Sequence, residues 1–220
     1  MIHLYAVVDG LAELPPVAGV ADAPLERLRI DDLDVIVSDA PPSAPEQSDE
    51  ALLQHALVVE ELMSRSVAML PGRLGQDFAD AGALTRAVRA DAERLRSGLR
   101  RVRGCVELGL RVLRPDRASL AERPSGGVEY MRARLAEKSE LDHLAAGIHE
   151  PLARLARASV NRTGSAPSVL VEAAYLVPVD QVDPFRVELA RFESSHPDLA
   201  FVCTGPWPPY NFAAENGERT

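Results

Sequence analysis

Residues 200–212 read AFVCTGPWPPYNF, an apolar run that stops at a Gly-Pro pair and continues as a proline-rich aromatic segment. The prolines lack a backbone N–H, fix φ, and restrict the preceding residue to extended conformations. We therefore expect residues 205–209 to be extended yet unable to pair fully within a sheet. This stiff arm carries the only tryptophan of the chain, Trp207, together with Tyr210 and Phe212.

The arm has two alternative docking surfaces. C-terminal segments are often held by packing on their own domain, and this structural tie is the commoner case. A partner protein is the alternative, because preorganised aromatic side chains lose little entropy on docking. The sequence therefore makes Trp207, Tyr210 and Phe212 candidate partner-binding residues, with the structural role as the first expectation.

The elements that precede the arm predict the fold of the second half. After Gly104, apolar residues alternate with others from 105 to 112, a period of two that is typical of a half-buried strand. The elements that follow are a helix over 127–158, bent or split near Pro151, a short strand near Val160, a strand over 168–177, a helix capped by Asp183-Pro184, and a strand over 199–204. This βαββαβ order predicts a ferredoxin-like fold.

The first half predicts a mixed α+β domain. The predicted elements are strands over 2–8, 25–30 and 33–38, a helix from a capping box at 43–46 to about residue 65, a buried strand over 67–70, a loop over 73–78, and one long helix over 80–103. Gly104 ends that helix. The sequence thus predicts an α+β protein of two domains, an N-terminal domain over 1–103 and a ferredoxin-like domain with its aromatic arm over 104–220.

Composition and charge exclude several classes of function. A formal net charge of −9 argues against nucleic-acid binding, which needs a dominant basic surface. No apolar run approaches the ~20 residues that span a bilayer, and the N-terminus lacks the basic region of a signal peptide. We therefore expect a cytoplasmic protein with no membrane partner.

The two cysteines, Cys105 and Cys203, form neither a disulfide framework nor a metal-ligand motif. In a ferredoxin-like sheet the first and last strands are antiparallel neighbours. We therefore expect the two thiols to lie close together and to be reduced.

No catalytic, cofactor-binding or metal-binding set is predicted. The five histidines lack the i, i+4 spacing of a helical zinc site, and no G-x-S-x-G motif occurs. His55 is a conceivable base beside Glu60 and Glu61, but a partly solvated histidine at the margin of a helix is far commoner. We therefore expect no enzymatic activity.

Two further features involve charge. Glu107 is a lone carboxylate on the non-core face of a predicted strand, and Arg73 or Arg111 would be a suitable partner, so we interpret it as a structural ion pair between the domains. The arginines over 94–103 are typical of a solvated helix face, with an acidic partner as the alternative.

Several motifs, in order along the chain, resemble those of the gas vesicle protein F/L family (GvpF/GvpL). The matching segments are Leu4–Val7, Leu33–Ser38, His55–Glu60, Leu70–Gly75, Gly104–Glu107, Ala174–Val177 and Thr204–Phe212. The Gly-Pro-Trp-Pro-Pro-Tyr-x-Phe ending is specific, whereas short pieces such as Ala-Tyr-Leu-Val are weak. In the Leu70–Gly75 loop, Gly72 replaces a larger apolar residue and Leu74 a phenylalanine, which softens a loop whose Arg73 is a further partner-binding candidate.

The resemblance implies a cytoplasmic, gas vesicle-associated protein of vesicle assembly. It implies a minor structural or accessory component that contacts the small hydrophobic shell protein and other gas vesicle accessory proteins, without enzymatic activity. It also implies two α+β domains, the second of them ferredoxin-like. The alternative function is a ligand-sensing or enzymatic ferredoxin-like module with a pocket between the domains near Glu107.

Overall fold

The computed structural model describes residues 1–39, 48–115, 126–162 and 168–213. The chain forms two compact units. The first contains Met1–Val106 together with the chain from Trp207 onward, and the second contains Glu107–Pro206. Both units contain strands and helices, which confirms the predicted α+β class.

The strands of the first unit are β1 (Ile2–Asp9), β2 (Leu25–Ile30), β3 (Leu33–Asp39), β4 (Ala68–Pro71) and β5 (Asp77–Phe78). They form an antiparallel sheet with the strand order β2-β3-β1-β4, and the short β5 also pairs with β1. The central strand β1 has six consecutive buried residues, because neighbouring strands and packed helices cover it. The predicted loop over 73–78 is wrong at its end, where Asp77 and Phe78 pair with His3 and Ile2.

The hairpin between β2 and β3 forms as the sequence predicts. Ile30 pairs with Leu33, which leaves Asp31-Asp32 as a two-residue turn. Asp31 has φ of 54°, a left-handed conformation that Asp tolerates better than most residues. The predicted strand pair is therefore confirmed.

Three helices accompany this sheet: α1 (Asp49–Arg65), α2 (Ala81–Ala90) and α3 (Ala92–Val102). The Ser48 hydroxyl accepts a hydrogen bond from the Ala51 N–H at 3.1 Å and caps α1. The predicted capping box at 43–46 lies outside the described residues. The single long helix predicted over 80–103 is wrong, because Asp91 leaves helical geometry with φ −100° and ψ 8° and separates α2 from α3.

Arginines of α2 and α3 bind the turn between β2 and β3. The guanidinium of Arg89 lies 3.1 Å from a carboxylate oxygen of Asp31, and that of Arg96 lies 2.5 Å from Asp32. Hydrogen bonding to Arg96 lowers the pKa of the Asp32 carboxyl to about 2. The interpretation of these arginines as a merely solvated face is therefore wrong for Arg96, which makes a tertiary ion pair.

The second unit has the element order βαββαβ. Its elements are β6 (Cys105–Leu113), α4 (Gly127–Arg154), β7 (Ala158–Asn161), β8 (Val169–Pro178), α5 (Val182–Ser195) and β9 (Ala200–Trp207). The first two residues of β6 and the last residue of β9 are assigned to the first unit. The sheet order is β7-β8-β6-β9. Its core includes Tyr175 and Phe185, whose rings meet edge to face at 5.0 Å.

Three predicted details of this unit are wrong. Helix α4 continues through Pro151 to Arg154, so the helix is not split there. Helix α5 begins after Gln181, and Asp183 lies in its first turn and makes no capping hydrogen bond. Strand β9 extends through Pro206 to Trp207, because it is an edge strand and a proline there removes no hydrogen bond from an interior ladder.

The two cysteines are free thiols, as predicted, but their predicted proximity is wrong. Strands β6 and β9 are neighbours. The Thr204 hydroxyl lies 2.7 Å from where a Cβ on Gly109 would stand, so Cys203 lies beside the middle of β6. Cys105 is at the start of that strand, because β9 runs beyond Cys203 instead of ending there.

Within the described residues, none of the helices combines the length and the apolar composition that a bilayer crossing requires.

Candidate partner-binding site

The C-terminal arm divides into one exposed aromatic residue and a buried remainder. Trp207, the last residue of β9, is 44% exposed. Pro208 and Pro209, which follow it, are buried, and so is Phe212 at 4%. The exposed indole is therefore attached to a segment that is fixed within the first unit.

Hydrogen bonds and packing hold the buried part of the arm. The Tyr210 N–H donates to the Pro208 carbonyl at 2.8 Å, and the Phe212 N–H donates to the Pro209 carbonyl at 3.0 Å. The Arg101 guanidinium donates to the Phe212 carbonyl at 2.6 Å. Tyr210 packs against the core cluster of the first unit.

A glycine of α3 permits this close approach. A Cβ on Gly98 would stand 3.0 Å from Leu70 and 3.7 Å from the Ala213 carbonyl. A side chain at this position would press on the β4 side chain beneath it. Gly98 therefore admits both Leu70 and the end of the arm.

The other predicted site residues differ from Trp207 in exposure and in their partners. Arg73 is exposed in a turn, where the Gln76 N–H donates to the Arg73 carbonyl at 3.0 Å. Glu107 is buried at 6%. Arg111, one of its two suggested partners, pairs with Glu172 at 2.6 Å.

A buried chain of polar groups in the first unit was missed by the sequence reasoning. His3 on β1 lies with Nδ1 2.6 Å from the Asp77 carboxylate and Nε2 2.9 Å from His55 Nδ1. His55 Nε2 lies 3.2 Å from the Gly72 carbonyl. Both histidines are 3% exposed, so the predicted position of His55 at a partly solvated helix margin is wrong.

The hydrogen bonds of His3 and His55 require a defined number of hydrogens. Three contacts join two terminal acceptors, the Asp77 carboxylate and the Gly72 carbonyl, and each contact needs one hydrogen. Two neutral imidazoles supply only two N–H groups. All three contacts are satisfied when the cluster holds one proton more than two neutral imidazoles and an ionised Asp77 supply.

The surroundings of His55 agree with its neutral state. Burial, together with the nearby His3, lowers the pKa of His55 to about 4. The Tyr5 ring stacks on the imidazole with centroids 5.4 Å apart. The Tyr5 hydroxyl in turn bonds Ser38 Oγ at 2.9 Å and accepts the Val20 N–H at 2.7 Å.

The His3–His55 pair is buried and is not exposed to solvent as the residues of an open active site are. Its members are 52 residues apart, and only the folding of α1 over β1 brings them together. The one sequence signal was that His55 and Gly72 lie in two of the segments that resemble the GvpF/GvpL family. Among the described residues, no cluster of three or more His, Cys, Asp or Glu side chains has the arrangement of a metal site.

These features define a class, an α+β protein of two compact units in which an aromatic C-terminal segment is anchored and one tryptophan stays exposed. The chain belongs to the GvpL/GvpF family of gas vesicle synthesis proteins, whose family model matches residues 1–214. The predicted resemblance is thereby confirmed.

Similar proteins agree with this assignment. The chain is 29% identical over 218 residues to gas vesicle protein F2 of Halobacterium salinarum, an alignment that covers 96% of this chain and 91% of the relative. It is 31% identical over 220 residues to gas vesicle protein L of a Streptomyces species, with 90% and 77% covered.

Solved structures show the same fold. The crystal structure of GvpF from Anabaena sp. PCC7120 matches with a TM-score of 0.80 at 18% identity, covering 100% of this chain and 98% of that one. GvpF from Microcystis aeruginosa matches with a TM-score of 0.79 at 16% identity, with 96% and 98% covered.

Proposed function

We propose that this protein takes part in gas vesicle formation as an assembly protein or minor structural component, and that it binds the small hydrophobic shell protein. Membership of a family of gas vesicle synthesis proteins supports the first part. The exposed Trp207, on an otherwise anchored arm, supports the second.

Trp207 is the observation that carries the contact. A large apolar ring that is 44% exposed can bury a substantial area against a partner. The buried prolines and the Arg101 hydrogen bond fix the segment that follows it, so binding needs little further ordering. Tyr210 and Phe212 then act as anchors for the contact, and the exposed Arg73 is a second candidate position.

The remaining parts of the proposal concern organisation. We propose two domains with the chain boundary near residue 104, and a ferredoxin-like arrangement for the second, supported by its βαββαβ order and its β7-β8-β6-β9 sheet. The arm, which the sequence assigns to the second domain, groups with the first unit from Trp207 onward. Glu107 is proposed to form a structural ion pair. The protein acts in the cytoplasm at gas vesicles, with other gas vesicle accessory proteins as further partners and without catalysis.

Capture of the shell protein tests the contact. Coexpressed shell protein is captured on the immobilised full chain, and the Trp207→Ala variant is expected to capture at least about tenfold less. Tyr130→Ala is the matched control, because Tyr130 is also a half-exposed aromatic residue, 48% exposed, on a different element.

Equal capture by wild type and Trp207→Ala would remove Trp207 as the contact. Loss of capture by the control as well would show that the assay reports nonspecific apolar binding. If no variant and no wild-type protein captures shell protein, the proposed function itself fails.

A further inference from the structure

Helix α1 exposes apolar side chains on the side opposite its core face. Leu52 is 53% exposed, Leu53 71% and Leu57 43%, while Val58, Val59 and Leu62 of the same helix are buried. A surface helix ordinarily turns polar residues outward, so a contiguous leucine face is unusual. We call the exposed set Leu52, Leu53, Ala56 and Leu57 the leucine face.

Acidic residues bound the leucine face at both ends. Asp49 and Glu50 precede it and Glu60 and Glu61 follow it, all on α1. The one basic residue of α1, Arg65, already pairs with Glu61 at 2.9 Å. The face is therefore apolar at its centre and negative at its ends.

Helix α4 has a second exposed apolar stripe. Residues 127–140, its first half, are exposed, whereas Ala145, Ile148 and Leu152 in its second half pack in the core. Val128 is 68% exposed, Met131 59% and Leu135 63%. At 100° per residue these three lie within about 60° of the helix circumference, so they form one stripe.

The residues that border this stripe are basic. The same helical geometry places Arg132 beside the stripe on one side and Lys138 on the other, with Arg134 next to Lys138. It places Glu129, Glu137 and Glu140 on the opposite side of the helix. Asp142, four residues beyond Lys138, lies in line with the stripe and ends it.

The leucine face and the α4 stripe are complementary in charge and in length. The leucine face with its acidic ends, from Asp49 to Glu61, is about 18 Å long, and Val128 to Lys138 is about 15 Å. Each face is a poor match for itself, because pairing would bring like charges together. Each is a good match for the other.

We propose that two copies of this chain associate head to tail, with the leucine face of α1 in one copy packing on the α4 stripe of the next. The occupant is a second copy because the chain itself supplies both complementary faces. This association is independent of Trp207. A heterologous contact leaves one unused face at each end, so it permits rings or open chains.

The contact is expected to be weak for a single pair. One helix against one helix over about three turns buries less than the ~1,200 Å² at the lower end of stable interfaces. Association is therefore expected to appear only at micromolar concentration and to weaken as salt rises from about 0.05 to 0.5 M, since exposed charge pairs are screened.

Sedimentation velocity on two paired variants tests the proposal. Leu53→Ser with Leu57→Ser removes the leucine face, and Met131→Ser with Leu135→Ser removes the stripe. Each variant alone is expected to stay monomeric up to about 200 μM, where the wild type associates. Mixing the two variants is expected to restore one contact, giving a heterodimer that does not grow further.

The mixing step separates the alternatives. Each double variant is first checked for a wild-type melting temperature, which surface leucine changes should preserve. A mixture that stays monomeric, a wild type that stays monomeric, or a single variant that still dimerises would each overturn head-to-tail pairing. Shell-protein capture by both variants is measured in parallel, so failure here is distinct from failure of the proposed function.

Discussion

At the scale of single residues, the first unit depends on polar groups that no local pattern reveals. His3, His55 and Asp77 come from a strand, a helix and a two-residue strand, and each has a hydrogen-bond partner among the other two. Leaving one such buried group without its partner costs about 1–3 kcal/mol. Each of these residues therefore stabilises the fold only while its hydrogen-bond partners are present.

Replacing His3 by Ala is expected to lower the free energy of unfolding by about 2 kcal/mol or more, because it leaves Asp77 and His55 without their shared partner. Urea denaturation followed by circular dichroism measures this. His143→Ala, at an exposed position of α4, is the control and should change stability by less than about 0.5 kcal/mol. Similar losses in both variants would contradict a buried network.

The pKa of His55 predicts a pH dependence with a defined sign. Its pKa is about 4 in the folded state and near 6.5 in the unfolded chain. Only the unfolded state takes up the proton between these values, so the stability that neutral His55 contributes is complete above about pH 6.5 and is lost as pH falls toward 4.

The expected loss from His55 is on the order of 2–3 kcal/mol between pH 7 and 4. Urea midpoints of wild type and His55→Gln, measured across this range, check it, since the variant should show a shallower decline. Parallel curves would contradict this assignment.

A substitution at Gly72 tests the backbone contact of His55, because His55 Nε2 lies 3.2 Å from the Gly72 carbonyl. A Cβ there would stand 2.6 Å from the Leu4 carbonyl oxygen, a backbone atom that cannot rotate away. Gly72→Ala is expected to cost about 1–3 kcal/mol. Gly147→Ala, in α4 with nothing within 4 Å, is the control and should be neutral or stabilising by up to ~1 kcal/mol.

At the scale of elements, the arm behaves as a structural tie with one exposed side chain. Phe212→Ala is expected to destabilise the protein by about 3 kcal/mol or more, because Phe212 is 4% exposed. Trp207→Ala should cost less than Phe212→Ala, because Trp207 is 44% exposed. Thermal unfolding of the two variants compares them, and an equal effect would show that Trp207 is as much an anchor as Phe212.

At the scale of the whole molecule, the two units share strands at their boundary, and the last residues of the arm belong to the first unit. Truncation after Pro206 removes Tyr210 and Phe212 from that unit. We expect the truncated chain to lose the Tyr5-His55 environment first. Hydrogen exchange at β1 and α1 should quicken while exchange at β8 and Tyr175 changes little, and uniform loss of protection would contradict separate units.

Much of the fold was predictable because local rules and tertiary packing agree. The runs at β1, β3 and β8, the Asp31-Asp32 turn and the alternation in β6 each indicate their structure within a few residues. Predictions failed where one residue decided the outcome in context. Asp91 interrupts a helix that its neighbours favour, Pro151 does not interrupt one, and Pro206 is tolerated because β9 lies at a sheet edge.

The sequence by itself determined the α+β class, the order of most elements, the family, and the unusual character of the arm. These properties depend on periodicity, turn residues and motif order, which are local. Only the tertiary structure decided that Phe212 is buried while Trp207 is exposed, and that His3 meets His55. It also showed that Leu52, Leu53 and Leu57 of α1 are exposed. Each of these outcomes depends on which distant surface covers a side chain, and no spacing along the chain specifies that.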